Sequence, residues 1–179
     1  VRDHVLIGRE RHDVGRPDDE GYPIRGIFRD GWLYLRNFEP DRWPAGPPET
    51  GYPDTDGSPT KTEVLNSRVD PEQSNLFWDV TFGKRGEAEL YHVAEDRDCM
   101  VNRVDDPSQE ARRQAMHDQL MAALEEQGDP RVRGEGAVFD AYPYADTAVR
   151  FLHNRLQDGE TIETGWLYDT DREPDFPER

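Results

Sequence analysis

Residues 39–58, EPDRWPAGPPETGYPDTDGS, fix where regular structure can be built. Proline locks φ and offers no backbone donor, so a run this dense in proline and glycine can form neither a helix nor a central strand. The elements must lie before and after it. A loop of this length in a compact domain is either ordered and functional or flexible.

Immediately before it, Tyr22 to Phe28 and Trp32 to Phe38 are two short apolar, β-branched and aromatic segments separated by Arg29-Asp30-Gly31. That spacing predicts an antiparallel hairpin. After it, Ser58-Pro59 opens a short helix reaching Ser67, with the serine as cap and the proline at the first helical position. Asp70-Pro71-Glu72-Gln73 repeats the device and predicts a helix with Leu76, Phe77 and Val80 on its apolar face, ended by Gly83. Glu89 to Ala94 reads as a strand. Asp106-Pro107-Ser108-Gln109 then opens the clearest helix, stopped by Gly128, with Ala115 or Met116, Leu120, Ala123 and Leu124 as its inward face. A further helix is predicted over Ala145 to Leu156, with Val149, Leu152 and Leu156 inward. From Gln157 acidic residues dominate, predicting a loosely held tail tacked down by Trp166 and Leu167.

These elements amount to an α+β fold: a small antiparallel sheet packed with a long C-terminal helix, polar loops and an acidic tail. At 179 residues the length suits one domain with an extension. The net charge of −17 argues against nucleic acid as a partner, since a phosphate backbone is held by clustered Lys and Arg. Lysine occurs only at 61 and 84, so the remaining cationic side chains are arginines, able to make forked contacts with anions. The single Cys99 excludes an internal disulfide and is compatible with a cytoplasmic or an exported protein. No apolar run is long enough to span a bilayer, so no membrane partner is expected. The chain opens on Val1 and runs directly into Val5-Leu6-Ile7, which reads as a piece of something longer.

Several motifs fail on inspection. Asp54-Thr55-Asp56-Gly57 with Glu63 imitates positions three, five, six and twelve of a calcium loop, but Tyr52 stands where the first carboxylate is required. Cys99-Met100-Val101-Asn102-Arg103 imitates the C-x-P-x-R nucleophile motif of sulfatases, with Val101 in the proline's place, so Cys99 reads as a small packed residue. The five histidines, at 4, 12, 92, 117 and 153, include no H-x-x-x-H pair. Neither catalytic residues nor metal ligands are expected in this chain.

Arg9, Glu10, His12 and Arg16, followed by Arg36, Asp41, Arg42 and Trp43, remain. Guanidinium for sulfate oxygens, carboxylate for hydroxyls, imidazole as donor and indole for a sugar's apolar face would together suit a sulfated carbohydrate. The plainer alternative is that these acids and arginines pair with each other at the surface.

Four blocks carry a family resemblance: GRERHDVGRPDDEGYPIRGIFRDGWLYLRNFEPDRWPAG, DGSPTKT, FGKRGEAELYHVAEDRDCMVNRVDD and GDPRVRGEGAVFDAYPY. In this order, from about Asp3 to Tyr144, they resemble the C-terminal part of bacterial sulfatases similar to heparan N-sulfatase, of the alkaline-phosphatase superfamily. The resemblance implies a subdomain over residues 1–144 and a helix plus acidic extension over 145–179. It implies that formylglycine and calcium belong to an N-terminal α/β sulfatase domain, in the same or a separate chain, and that this chain alone needs no cofactor and is inactive. It implies substrate contact by Glu10 and His12 first, then Arg9, with Arg42 and Trp43 weaker. It favours a periplasmic or extracellular location. Gly86, where relatives commonly carry proline, and CMVNRV, in place of Asn-Leu-Ala, depart from the pattern.

Two functions follow as expectations. One is the substrate-recognising portion of a sulfuric ester or sulfamate hydrolase. The other is a non-catalytic acidic interaction module derived from the same fold. In the first case the surfaces that meet the partner domain would be open and prone to homo-oligomer formation.

Overall fold

The computed structural model describes residues 3–68, 76–174 and 176. They divide into two compact units. The first comprises Val1–Glu10, Tyr22–Pro40 and Arg85–Ala141, and the second Arg11–Gly21, Asp41–Lys84 and Tyr142–Arg179.

The first unit is α+β. Strands β1 (Val5–Arg9), β2 (Ile24–Arg29), β3 (Trp32–Asn37) and β4 (Ala88–Tyr91) form one antiparallel sheet in sequence order. The hairpin closes through Asp30 and Gly31, both at positive φ (50° and 79°), while Arg29 pairs with Trp32. This is the geometry whose twist suits a two-residue hairpin, and glycine adopts it without strain. The fourth strand stops at Tyr91, short of the predicted Ala94, because the amides of Glu95 and Asp96 both turn back to the His92 carbonyl.

The register Leu6–Ile27–Tyr34–Leu90 places these four side chains on one face. Helix α3 (Glu110–Gln127) covers that face with Met116, Leu120 and Leu124, which form a core with Ile27, Trp32, Tyr34 and Leu90. A 3-10 turn at Pro107–Gln109 extends it to 21 helical residues. The Asp106 side chain accepts from the Ser108 amide at 2.9 Å, and Gly128 ends the helix at φ 74°. The predicted caps and inward face are therefore the observed ones. A short helix, α4 (Ala137–Asp140), had no signal in the periodicity.

The other face carries Val5, Ile7, Phe28, Leu33 and Leu35 in the same register. Val5 is 56%, Ile7 45% and Phe28 39% exposed.

In the second unit, α1 (Pro59–Ser67) has the predicted bounds, and Ser58 Oγ accepts from the Lys61 amide at 3.2 Å. The predicted Asp70 cap lies outside the described residues. On α2 (Leu76–Thr81) the buried side chain is Trp78, while Leu76 and Phe77 are exposed, the reverse of the expected face. Trp78 wins because Tyr52, Leu65 and Phe82 form an aromatic and aliphatic pocket that takes the larger ring. The proline-rich loop is ordered: Ala45–Pro48 and Thr50–Pro53 are buried, and Thr50 Oγ1 donates to the Gly15 carbonyl at 2.9 Å.

The helix expected over 145–156 forms only as α5 (Leu152–Gln157). Side chains hold the preceding residues in turns: the Asp146 carboxylate accepts from the Ala148 amide, and Asp19 accepts from the amide of Phe151, whose φ is 55°. Short acidic side chains compete with helix in this way. Val149 and Leu152 are nevertheless buried with Val14, as the apolar pattern predicts. Residues 158–174 are fastened rather than loose. Trp166 Nε1 donates to the Pro53 carbonyl at 3.1 Å, the Gly57 amide donates to the Trp166 carbonyl, and Asp171 is buried.

Candidate functional site

The candidate contact residues fall in both units. Arg9 and Glu10 end β1 in the first; His12, Arg42 and Trp43 belong to loops of the second.

Glu10 sits where β1 passes into a loop, and its two oxygens are shared between two buried arginines. Arg25 on β2 donates to Oε1 at 2.5 Å and Arg131 to Oε2 at 3.0 Å. Arg25 also binds Asp129 at 2.6 Å, and Arg131 reaches Glu39 at 3.3 Å and Asp140 at 3.5 Å. Burial alone would raise the Asp129 carboxyl, but hydrogen bonds from Arg25 and the Arg131 amide hold it below the usual carboxylate range. Forked guanidinium contacts between elements are the stronger kind of ion pair. The network closes the end of the helix against the sheet and holds Glu10 in one position. Arg9 is exposed, with its guanidinium 6.0 Å from the centre of the Tyr22 ring.

In the second unit His12 is exposed, next to an Asp13 whose carboxyl is raised mainly by burial. Arg42 donates to the Gly21 carbonyl at 3.0 Å and pairs with Glu20 at 3.3 Å. Trp43 is half-buried, with Phe176, Trp78 and Tyr52 set edge-on to its ring at 5.3, 6.2 and 6.5 Å, and Lys84 Nζ stands 5.1 Å from it. Arg16, singled out beside these, is buried: it donates to the carbonyls of Trp43 and Pro44 at 2.8 Å each and to Asp54 at 2.7 Å. It thereby fixes the backbone that presents Trp43. Asp54, the first acid of the calcium-like sequence, is committed to that arginine.

The sequence reading missed three polar centres. One is the Arg25–Glu10–Arg131 network. The second is Lys61, whose ammonium donates to the carbonyls of Gly51, Tyr52 and Thr55 at 2.7, 3.2 and 2.6 Å. The third joins Tyr34 on β3 to His117 on α3, hydroxyl to Nδ1, at 3.0 Å. The partners in the first and third lie far apart in the chain, those of Lys61 are backbone carbonyls that no side-chain pattern marks, and only the position of His117 beside Met116 on the inward helix face hinted at the last.

Among the described residues no cluster of three or more His, Cys, Asp or Glu side chains is placed to hold a metal, and no helix is long and apolar enough to cross a membrane. No family model matches the chain, and no curated protein matches it.

Proposed function

We propose that the chain is the C-terminal portion of a sulfatase-type hydrolase acting on a sulfated carbohydrate, supplying substrate recognition to a nucleophile-bearing domain outside these residues. The observation that carries this reading is the first unit: a four-stranded antiparallel sheet with a 21-residue helix on one face and, on the other, apolar side chains of β1 and β2 left exposed. The architecture is the one the family resemblance implies, and the open face is what a subdomain docking on a larger partner needs. The interaction-module reading would require that face to be covered from within the chain, and Val5 and Ile7 are half exposed.

On this reading the exposed Arg9 approaches the sugar, and Glu10, whose two oxygens are taken up by Arg25 and Arg131, holds the end of β1 in place; His12 is the exposed candidate of the second unit. Arg42 and Trp43 contribute less, because their groups already face protein partners. The formylglycine and calcium belong to the other domain.

The test joins the chain to its N-terminal domain and measures sulfate release from a sulfated disaccharide. His12→Ala and Arg9→Ala are each expected to raise KM or lower kcat by tenfold or more, as loss of a hydrogen-bonding substrate contact does. Unchanged kinetics for both would remove the substrate role. Sulfate release by these 179 residues alone would overturn the division of labour.

A further inference from the structure

Within the first unit, a cavity of about 370 Å³ opens between β3 and α3. Tyr34 and His117 line it together with one arginine from each wall, Arg36 on the strand and Arg113 on the helix. Its volume lies at the small end of the range for ligand pockets, roughly 300–1,000 Å³.

Tyr34 is 3% exposed, and burial raises its phenol above the ordinary range, with Arg36 and Arg113 pulling in the opposite direction. The hydroxyl therefore keeps its proton at neutral pH. The hydroxyl and His117 Nδ1 share one hydrogen bond at 3.0 Å, so Nε2 is the ring nitrogen that this bond leaves for a ligand. Arg113 Nε is buried with no partner among the described residues, so a ligand in the cavity would meet the terminal nitrogens of this guanidinium.

The guanidiniums have carboxylate neighbours, Arg36 with Glu87 at 2.8 Å and Arg113 with Glu110 at 2.7 Å. Both acids are open to water, at 70% and 59% side-chain exposure. Ion pairs open to water hold each other weakly, so a ligand anion can displace them. Asp105 at the cavity wall is the remaining acid and would discriminate against ligands too large to stay clear of it.

We propose that this cavity binds a tetrahedral oxyanion, a sulfate or phosphate group free or carried as an ester on a small molecule. A tetrahedral group offers oxygens in several directions, which matches guanidinium donors on the strand wall and the helix wall with an imidazole also in the lining. The site does not depend on the sulfatase reading, because every residue lining it belongs to the first unit of this chain.

The experiment follows the imidazole nitrogens of the five histidines by NMR in the full chain, with ionic strength held constant by sodium chloride. Inorganic sulfate, inorganic phosphate, a hexose sulfate and a hexose phosphate are titrated separately. At least one should shift the His117 resonances saturably while those of His153 stay in place. Arg36→Gln and Arg113→Gln change part-exposed side chains and should each weaken that binding tenfold or more. Tighter binding of an ester identifies the attached sugar as part of the ligand; equal binding of the inorganic ion identifies a free-anion site. A shift that chloride reproduces, that never saturates, or that survives the Arg36→Gln/Arg113→Gln double variant would overturn the proposal.

Discussion

Arg16 and Asp54 meet at 2.7 Å with side chains only 2% and 3% exposed, so the second unit contains an ion pair almost fully removed from water. The pair ties the loop after β1 to the proline-rich loop, and the arginine's other donors reach the Trp43 and Pro44 carbonyls. Removing one partner strands the other charge in a medium that solvates it poorly. Asp54→Ala is expected to destabilise the second unit by about 3–5 kcal/mol. The double variant Arg16→Met/Asp54→Leu should cost less than either single change. Urea unfolding followed by tryptophan fluorescence checks this, and a double variant that is the least stable of the three would show that the geometry outweighs desolvation.

Lys61 makes a second prediction. Its ammonium holds three carbonyls of residues 51–55, and burial lowers its pKa against the opposing pull of Asp171, 3.7 Å away. Lys61→Met keeps the length of the side chain and removes the donor from the Gly51 and Thr55 carbonyls, while the Tyr52 carbonyl keeps its bond from the Thr55 amide. A loss of about 3 kcal/mol is expected, since each buried group left unmade costs about 1–3 kcal/mol and some will find water. The measurement is the urea midpoint of the variant against that of Lys61→Arg, which retains a charge but not the compact head.

Leu120 is fully buried between α3 and the sheet, beside Ile27, Tyr34 and Leu90. Leu120→Ala should destabilise the first unit by about 2–5 kcal/mol through lost burial and the cavity left behind. Hydrogen exchange of β2 and β3 amides should accelerate accordingly, and an unchanged rate would mean that the helix is not what closes this core.

Acidification should move the two units in opposite directions. Asp13 and Asp19 in the second are raised mainly by burial, so from neutral pH the native form takes up protons before the unfolded form does. Stability contributed by these groups rises as pH falls through their folded values and levels off below about 3.8. Asp129 in the first unit is lowered, so its contribution is present above the unfolded value and disappears as pH falls through the folded one. Hydrogen exchange at Tyr52 and Leu120 between about pH 5 and pH 3 reports each unit separately. Asp13→Asn with Asp19→Asn should reduce the rise at Tyr52 to the part contributed by Glu173, which burial also raises; an unchanged rise would assign none of it to Asp13 and Asp19.

The elements legible in the sequence are those whose cause is local. Ser58-Pro59, Asp106-Pro107, Gly128 and Asp30-Gly31 each specify a cap or turn within a few residues, and the structure places a helix end or a hairpin at each. The failures have distant causes. Residues 145–151 carry a helical apolar pattern, but Asp19, more than a hundred positions earlier, captures the Phe151 amide. Leu76 and Phe77 looked inward until Tyr52 and Phe82 supplied a pocket for Trp78 instead. For the candidate residues the identity of the side chains was informative and their commitments were not. Glu10 reads as an available carboxylate until Arg25 and Arg131, one of them 121 positions away, occupy both of its oxygens.

The chain passes between the two units after Glu10, Gly21, Pro40, Lys84 and Ala141, so each is assembled from three separate stretches. During synthesis the first cannot finish its core until α3 has left the ribosome, by which time most of the second has already emerged and must wait for its last stretch. No single cut yields either unit as one continuous polypeptide. Any attempt to study one in isolation therefore has to splice segments or permute the chain, not trim its ends.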